Sequence, residues 1–253
     1  MHRPFHSKRP AQGMIIGFRA VLEAIESGKE LDKVLVQKGL QGELSKELRT
    51  ALHHADIPFQ LVPAEKLNQL SRANHQGVIA FLSQISFGRL DEIIQQCFEQ
   101  GRDPRIVILD HITDVRNFGA ICRSAECFGA HAVVIPEKGA AQINSEAIKT
   151  SAGALLSIPV CREKNLSETI RRMQQSGLRV AACTEKGAVP LRNAKLTGPM
   201  CVVLGAEDTG ISNDILRLAD ELVVIPMTGT TSSLNVSVAA GILLYELATQ
   251  SLN

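Results

Sequence analysis

The chain has no tryptophan, one tyrosine and eight phenylalanines in 253 residues, and its 27 Lys and Arg nearly cancel 26 Asp and Glu, leaving a net charge of +1. A protein that holds nucleic acid through a bulk positive field or a platform of stacked aromatics is composed differently. No uninterrupted apolar run approaches the roughly 18 residues of a membrane span, and the opening MHRPFHSKRP lacks the apolar stretch of a secretion signal. The six cysteines (Cys97, Cys122, Cys127, Cys161, Cys183, Cys201) stand singly in apolar stretches, without CxxC pairs or histidines at finger spacing. That excludes the usual zinc and disulfide frameworks and points to a reduced, cytoplasmic protein without metal. His2 and His6 have helical metal spacing, but a tail holding Pro4 and Pro10 reads as a polar arm.

The common cofactor signatures are missing too. No GxGxxG follows a strand, no GxxxxGK[ST] is present, and no GxSxG elbow occurs. Dinucleotide binding, P-loop chemistry and a serine hydrolase are therefore all disfavoured.

Charge is distributed unevenly. Arg3, Lys8, Arg9 and Arg19 precede the first acid, Glu23, so the first 22 residues carry +4 and the remainder is net negative. Such an arm can touch phosphates or simply solubilise the chain. Beyond it, apolar spacing predicts helices over Phe18–Ile25, Leu44–Leu52 and Ala64–Leu70. Strands are predicted at Val34–Val36, Pro58–Val62 and Gly77–Leu82. Leu90–Phe98 reads as a helix before the turn cluster Gly101–Pro104. The expected organisation is a basic arm (1–12), a small α/β domain (13–84), a linker with a helix (85–103) and a second α/β domain (104–253).

The second half has apolar strand candidates at Arg105–Asp110, Ala132–Ile135, Arg179–Ala182, Cys201–Leu204 and Leu222–Ile225, separated by helical stretches. Such runs suit a parallel sheet dry on both faces, whose ligands gather at the carboxyl ends of strands. Three strand-to-helix junctions carry polar residues that a core would not tolerate without purpose. Asp110–Ala130 holds Asn117, Gly119, Arg123 and Ser124; an Arg beside an Asn-Phe-Gly turn can clamp a phosphate or lie solvated. Val202–Ser212 ends a strand at Gly205, where a missing Cβ lets a ligand approach, and then presents Glu207 and Asp208, readable also as helix-cap acids. Ile225–Glu246 contains a loop of small hydroxyls and then Asn235 and Ser237 within an apolar helix expected to start at Leu234, where they need partners if buried.

NFGAICRSAE, LGAEDTGIS and IPMTGTTSSLNVSVAAGILLYE together resemble, in order and wording, the three motifs of the SpoU (TrmH) family within the SPOUT superfamily of RNA ribose methyltransferases. The resemblance spans about Arg105 to Leu252. The segment before it, with HQGVIA at His75–Ala80, is similar to the family's small substrate-binding domain. The resemblance implies a parallel sheet with a C-terminal deep trefoil knot, an exception to the rule against threaded chains. The small residues of Val238–Gly241 would suit its crowding. It implies S-adenosylmethionine held at Gly205, Ile225, Met227 and Leu234, with Thr184 a further candidate. Functional positions map onto Asn117, Arg123, Glu207, Ser233 and Asn235, with Glu207 pinning Arg123 or bonding a hydroxyl of cofactor or ribose. Family members are typically homodimers joined through the helix after the first motif and the final helix. The implied reaction is 2′-O-methylation of RNA, with a guanosine of large-subunit (23S) rRNA as first choice. A tRNA ribose methyltransferase and a non-catalytic RNA-binding or ribosome-assembly protein are the alternatives. One departure stands out: Asp114 is followed by Val115 and Arg116 where the family often has Asp-Pro.

Overall fold

Strand and helix alternate from the first described residues, and the chain divides after Gln84 into two units. The computed structural model describes residues 13–55, 57–231 and 233–251. The N-terminal arm, with His2 and His6, lies outside the described residues, as do Ser232 and Leu252.

The first unit runs β1 (Met14–Ile16), α1 (Phe18–Glu26), β2 (Leu31–Gln37), α2 (Glu43–His54), β3 (Phe59–Val62), α3 (Ala64–Leu70) and β4 (Val78–Leu82). The sheet order is β1-β4-β2-β3, with β2 and β3 parallel and β4 antiparallel to β1 and β2. Fully buried Val21, Val34, Val36, Leu48 and Leu52 join α1 and α2 to one sheet face. Periodicity predicts all three helices and three of the four strands. β1 is too short to show a period, and its pairing with β4 defines it.

The second unit comprises β5 (Phe87–Gly88), α4 (Leu90–Glu99), β6 (Arg105–Asp110), α5 (Val115–Cys127), β7 (Ala132–Pro136), α6 (Ser145–Thr150), β8 (Val160–Glu163) and α7 (Leu166–Gln175). It continues with β9 (Arg179–Cys183), β10 (Val189–Pro190), β11 (Met200–Gly205), α8 (Asn213–Leu218), β12 (Glu221–Val224) and α9 (Val236–Gln250). Residues 85–103, read from sequence as a linker with a helix, carry β5 and that helix, α4; β5 pairs with β8, and Leu90 and Ile94 enter this unit's core.

Eight strands form one sheet in the order β10-β12-β9-β11-β6-β7-β8-β5, with every pairing parallel. The period of two divides the central strands between two dry faces. Val107, Leu109, Val202 and Leu204 pack with Phe118 of α5 and Leu243 and Leu244 of α9. Ile106, Ile108, Cys201 and Val203 pack with Ile170 of α7 and Ile215 of α8. Burying one large side chain such as Phe118, fully inaccessible here, stabilises the fold by about 2–3 kcal/mol. Among the described residues no helix is long and apolar enough to cross a membrane.

The topology locates the site. The chain steps outward from β6 through β7 to β8, crosses back to β9, and then inserts β11 between β9 and β6. The carboxyl ends of β6, β9, β11 and β12 therefore converge although long stretches of sequence separate them. This mixed α/β architecture is the expected one. The threading expected of the final segment is compatible with this strand order, and within Val238–Gly241 the close packing falls on Ala240, which is fully buried in the core. Val238 is half exposed, and a Cβ on Gly241 would find only Ser124 Oγ, 3.8 Å away.

Candidate active site

The first junction is shaped by a cap. Asp114 lies before α5, and its side chain accepts from Arg116 N at 2.9 Å and Asn117 N at 2.8 Å. Val115 occupies the first helical position, where proline is favoured but not required, so the departure from Asp-Pro leaves the turn intact. Gly119 is buried where α5 crosses α6: a Cβ there would sit 2.7 Å from Ala147 O. Its role is close helix packing, which sets the position of Asn117 two residues earlier.

The second junction is closed by Gly205. A Cβ at this position would lie 2.2–2.4 Å from the backbone of Gly210 and Ile211. The sequence reading assigned the missing side chain to ligand approach. The structure assigns it to the chain's own loop, which folds back from Ala206 to Gly210 onto the strand end. Asp110, at the end of neighbouring β6, is buried and accepts from Ser212 N at 2.7 Å, while its other oxygen meets His111 Nδ1 at 2.5 Å. This tie between β6 and the 206–212 loop was missed from sequence; an Asp ending an otherwise apolar strand was the available signal.

The third junction corrects a helix boundary. Asn235 is the N-cap of α9, not a residue within it, and its Oδ1 accepts from Ser237 N at 3.0 Å and Ser237 Oγ at 2.5 Å. Its low helix propensity is an advantage there.

One carboxylate oxygen brings the three junctions together. Glu207 Oε1 accepts from Asn117 Nδ2 at 3.1 Å, Asn235 Nδ2 at 2.5 Å and Val236 N at 3.1 Å. Asn235 Nδ2 also donates to Asn117 Oδ1 at 3.0 Å. A carboxylate at the start of α9 satisfies an orphan N–H and favours the helix dipole. Thus Glu207 serves α9, not α8 as a reading of the acids as caps for the following helix would have it. The salt bridge between Glu207 and Arg123 raised by the sequence reading is not formed. Arg123 is exposed on α5, six residues beyond Asn117, and makes no hydrogen bond or ion pair among the described residues. Neighbouring Arg116 pairs with Glu146 at 2.8 Å, and that contact raises its pKa.

Beside this network, at the ends of β9, β11 and β12, lies a cavity of about 460 Å³. All five expected cofactor residues, Thr184, Gly205, Ile225, Met227 and Leu234, line it, as do Glu207 and Ser233. Asn117 and Asn235 reach it through Glu207, while Arg123 is not part of its wall. Cys183 contributes to the wall with its thiol pushed up to about 11 by burial, so it is neutral near pH 7. Among the described residues no group of three or more His, Cys, Asp or Glu is placed to hold a metal.

Comparisons with known proteins bear on this arrangement. Residues 104–245 match the SpoU rRNA Methylase family, and residues 14–88 match the family described as RNA 2′-O ribose methyltransferase substrate binding. The sequence is 34% identical over 234 residues to YacO of Bacillus subtilis, named for the TrmH family of tRNA/rRNA methyltransferases; the match covers 92% of this chain and 94% of YacO. The fold is similar to that of AviRb, a SpoU methyltransferase from Streptomyces viridochromogenes solved in complex with the cofactor AdoMet. There the TM-score is 0.59 at 26% identity, covering 94% of this chain and 89% of AviRb. A solved RNA 2′-O ribose methyltransferase gives 0.56 at 28% identity, covering 95% and 89%.

Proposed function

The chain belongs to the SpoU methylase family of S-adenosylmethionine-dependent RNA methyltransferases, and from that premise we propose that it methylates a ribose 2′-hydroxyl of RNA, at a guanosine of large-subunit (23S) rRNA. The observation that carries the reading is the cavity at the strand ends with the Asn117–Glu207–Asn235 network at its edge. The match of the first unit to a substrate-binding family and of the second to an rRNA methylase family supports RNA, and rRNA in particular, as the substrate.

The cavity fits the cofactor. Its volume lies within the roughly 300–1,000 Å³ of small-molecule sites. Leu204, Ile225, Leu234 and Val236 offer apolar wall to a purine, while Glu185, Glu207 and Asp208 offer negative charge to a cation. S-adenosylmethionine, when bound, supplies a methyl group made electrophilic by its sulfonium.

The chain's own residues then have three tasks. Glu207 holds Asn117 and Asn235 together through one carboxylate oxygen, and this cluster positions a ribose at the cavity edge. Ser233, exposed on the cavity wall, offers a hydroxyl to the same sugar. Arg123 clamps the adjacent phosphate and stabilises the alkoxide that develops as the 2′-hydroxyl loses its proton. A guanidinium carries only donors and has no lone pair to accept a proton, so a phosphate oxygen or a transiently neutral guanidine receives that proton.

The protein acts as a homodimer in this reading. Val238, Ile242 and Tyr245 of α9 follow one another at helical spacing and are 39–56% exposed, and Phe128 at the end of α5 packs edge-on against Tyr245. A contiguous apolar face of this kind on α5 and α9 suits a second copy of the chain.

The test is incubation with labelled S-adenosylmethionine and deproteinised rRNA or tRNA, followed by location of any methylated nucleotide through its resistance to alkaline cleavage. A resistant guanosine in large-subunit rRNA is the expected result. Label confined to tRNA overturns the rRNA assignment, and label on a base overturns the 2′-O assignment.

A further inference from the structure

Among the described residues, three carboxylates, Glu185, Glu207 and Asp208, line the cavity together with one cation, Lys186. Lys186 makes no ion pair among the described residues. Its backbone is nevertheless held firmly. Thr184 N donates to Val223 O at 2.9 Å, Gly187 N closes a turn onto Thr184 O at 3.0 Å, and Lys186 N donates to Thr184 Oγ1 at 3.3 Å. Gly187 lies directly on the next strand, where a Cβ would fall 2.5 Å from the carbonyl of Val223. The turn is thus clamped to β12 on both sides of Lys186, and its tip is fixed on the cavity wall.

An α-amino acid tail carries one ammonium and one carboxylate. The acidic groups of this cavity can meet the ammonium and the sulfonium, and among the described residues that line it Lys186 is the side chain with the charge to meet the carboxylate. Resting on the cofactor reading above, we propose that Lys186 is the specificity residue for the methionyl carboxylate of S-adenosylmethionine. A lysine suits this role as a flexible point charge that needs no fixed fork geometry. The residue lies outside the three motifs, and nothing in its local sequence, Thr184-Glu185-Lys186-Gly187, marks it as more than a turn.

Calorimetry with two compounds tests the assignment without any methyl transfer: S-adenosylmethionine, and its decarboxylated analogue, which keeps the sulfonium, ribose, adenine and amine. Native protein and Lys186→Gln are each titrated with both. Lys186 is exposed, so the substitution leaves the fold unchanged, which circular dichroism verifies. The ratio of the two dissociation constants should shift by about tenfold on substitution, the weight of one charge-assisted hydrogen bond. The loss should fall on the carboxylated compound alone. A ratio unchanged within about twofold overturns the assignment to Lys186 while leaving the cofactor site standing. Native protein that binds neither compound overturns the cofactor reading itself.

Discussion

Glu207 accepts a hydrogen bond from Asn117 at 3.1 Å across ninety positions of sequence. The same oxygen receives Asn235 and the first backbone N–H of α9. A carboxylate offers only acceptors, which is what three converging donors require; an amide keeps one oxygen but loses the charge. Glu207→Gln should lower turnover about tenfold and Glu207→Ala about a hundredfold, with Ala also costing about 1 kcal/mol of stability. Single-turnover methyl transfer and urea unfolding measure the two effects. Native-like turnover in the Ala variant would show that the network positions nothing.

Arg123 lies outside the cavity wall, so binding and chemistry should separate when it is changed. Arg123→Ala is expected to reduce methyl transfer by about a thousandfold or more, as loss of a charge stabiliser does. Its dissociation constant for S-adenosylmethionine should stay within about twofold of native. Arg123→Lys keeps the charge without the planar fork and should recover only a small part of the rate. Near-full turnover of the Lys variant with an unchanged pH profile would remove the case for a guanidinium.

Gly205 is set against the backbone of Gly210 and Ile211 at distances no Cβ tolerates. Gly205→Ala should force the 206–210 loop off the strand, costing about 1–3 kcal/mol in urea unfolding, and should abolish cofactor binding by calorimetry. Full retention of both would mean that the loop shifts freely.

The exposed face of α9 yields a prediction in hydrodynamics. Native protein should sediment as a dimer, and Ile242→Glu, which places a charge in the apolar stripe, should sediment as a monomer with its circular dichroism spectrum unchanged. Native protein that sediments as a monomer at micromolar concentration would rule out this face as a self-interface.

Buried thiols make the fold sensitive to alkali. Burial raises Cys122 and Cys201, pushes Cys161 up to about 12 and pushes Cys183 up to about 11, all from an ordinary value of 9.0. Above pH 9 the unfolded chain releases these protons while the folded chain keeps them, so stability is level below about pH 9 and falls as pH rises towards 11. Cys183 accounts for at most about 2–3 kcal/mol of that decline. Urea midpoints measured from pH 7.5 to 10.5 check the slope, and Cys183→Ala should make it shallower. A midpoint rising through this range would contradict the sign.

Near-zero net charge and scarce aromatics give little guidance about RNA, because net charge sums over the whole molecule. Arg116, Arg123 and Lys186 show positive charge set locally beside acids that cancel it in the total. What composition leads one to expect is narrower: any RNA contact made through phosphate, ribose and backbone, with no broad stacking surface.

Most strands and helices of four or more residues were legible because burial on one face or both imposes a period on the sequence, but β8 (Val160–Glu163), α6 (Ser145–Thr150) and α7 (Leu166–Gln175) were not singled out. Arg105–Asp110 and Ala64–Leu70 have the same bounds in sequence and structure. The two-residue strands β5 and β10 were not legible, since two residues carry no period and owe their form to a partner strand. Asn235 marks the limit in another way: its residue type suits a helix cap, but only the backbone shows that the helix begins one residue later.

By itself the sequence determined the order of alternating elements, the dryness of the second sheet and the residue types at three polar junctions, since these follow from local periodicity and side-chain chemistry. The tertiary structure alone decided that one oxygen of Glu207 unites those junctions, that Gly205 makes room for its own chain, that Arg123 stands apart from Glu207, and that Lys186 faces the cavity. Each depends on inserting β11 between β9 and β6, a pairing between segments distant along the chain. Contacts made across such distances leave no period in the sequence to be read.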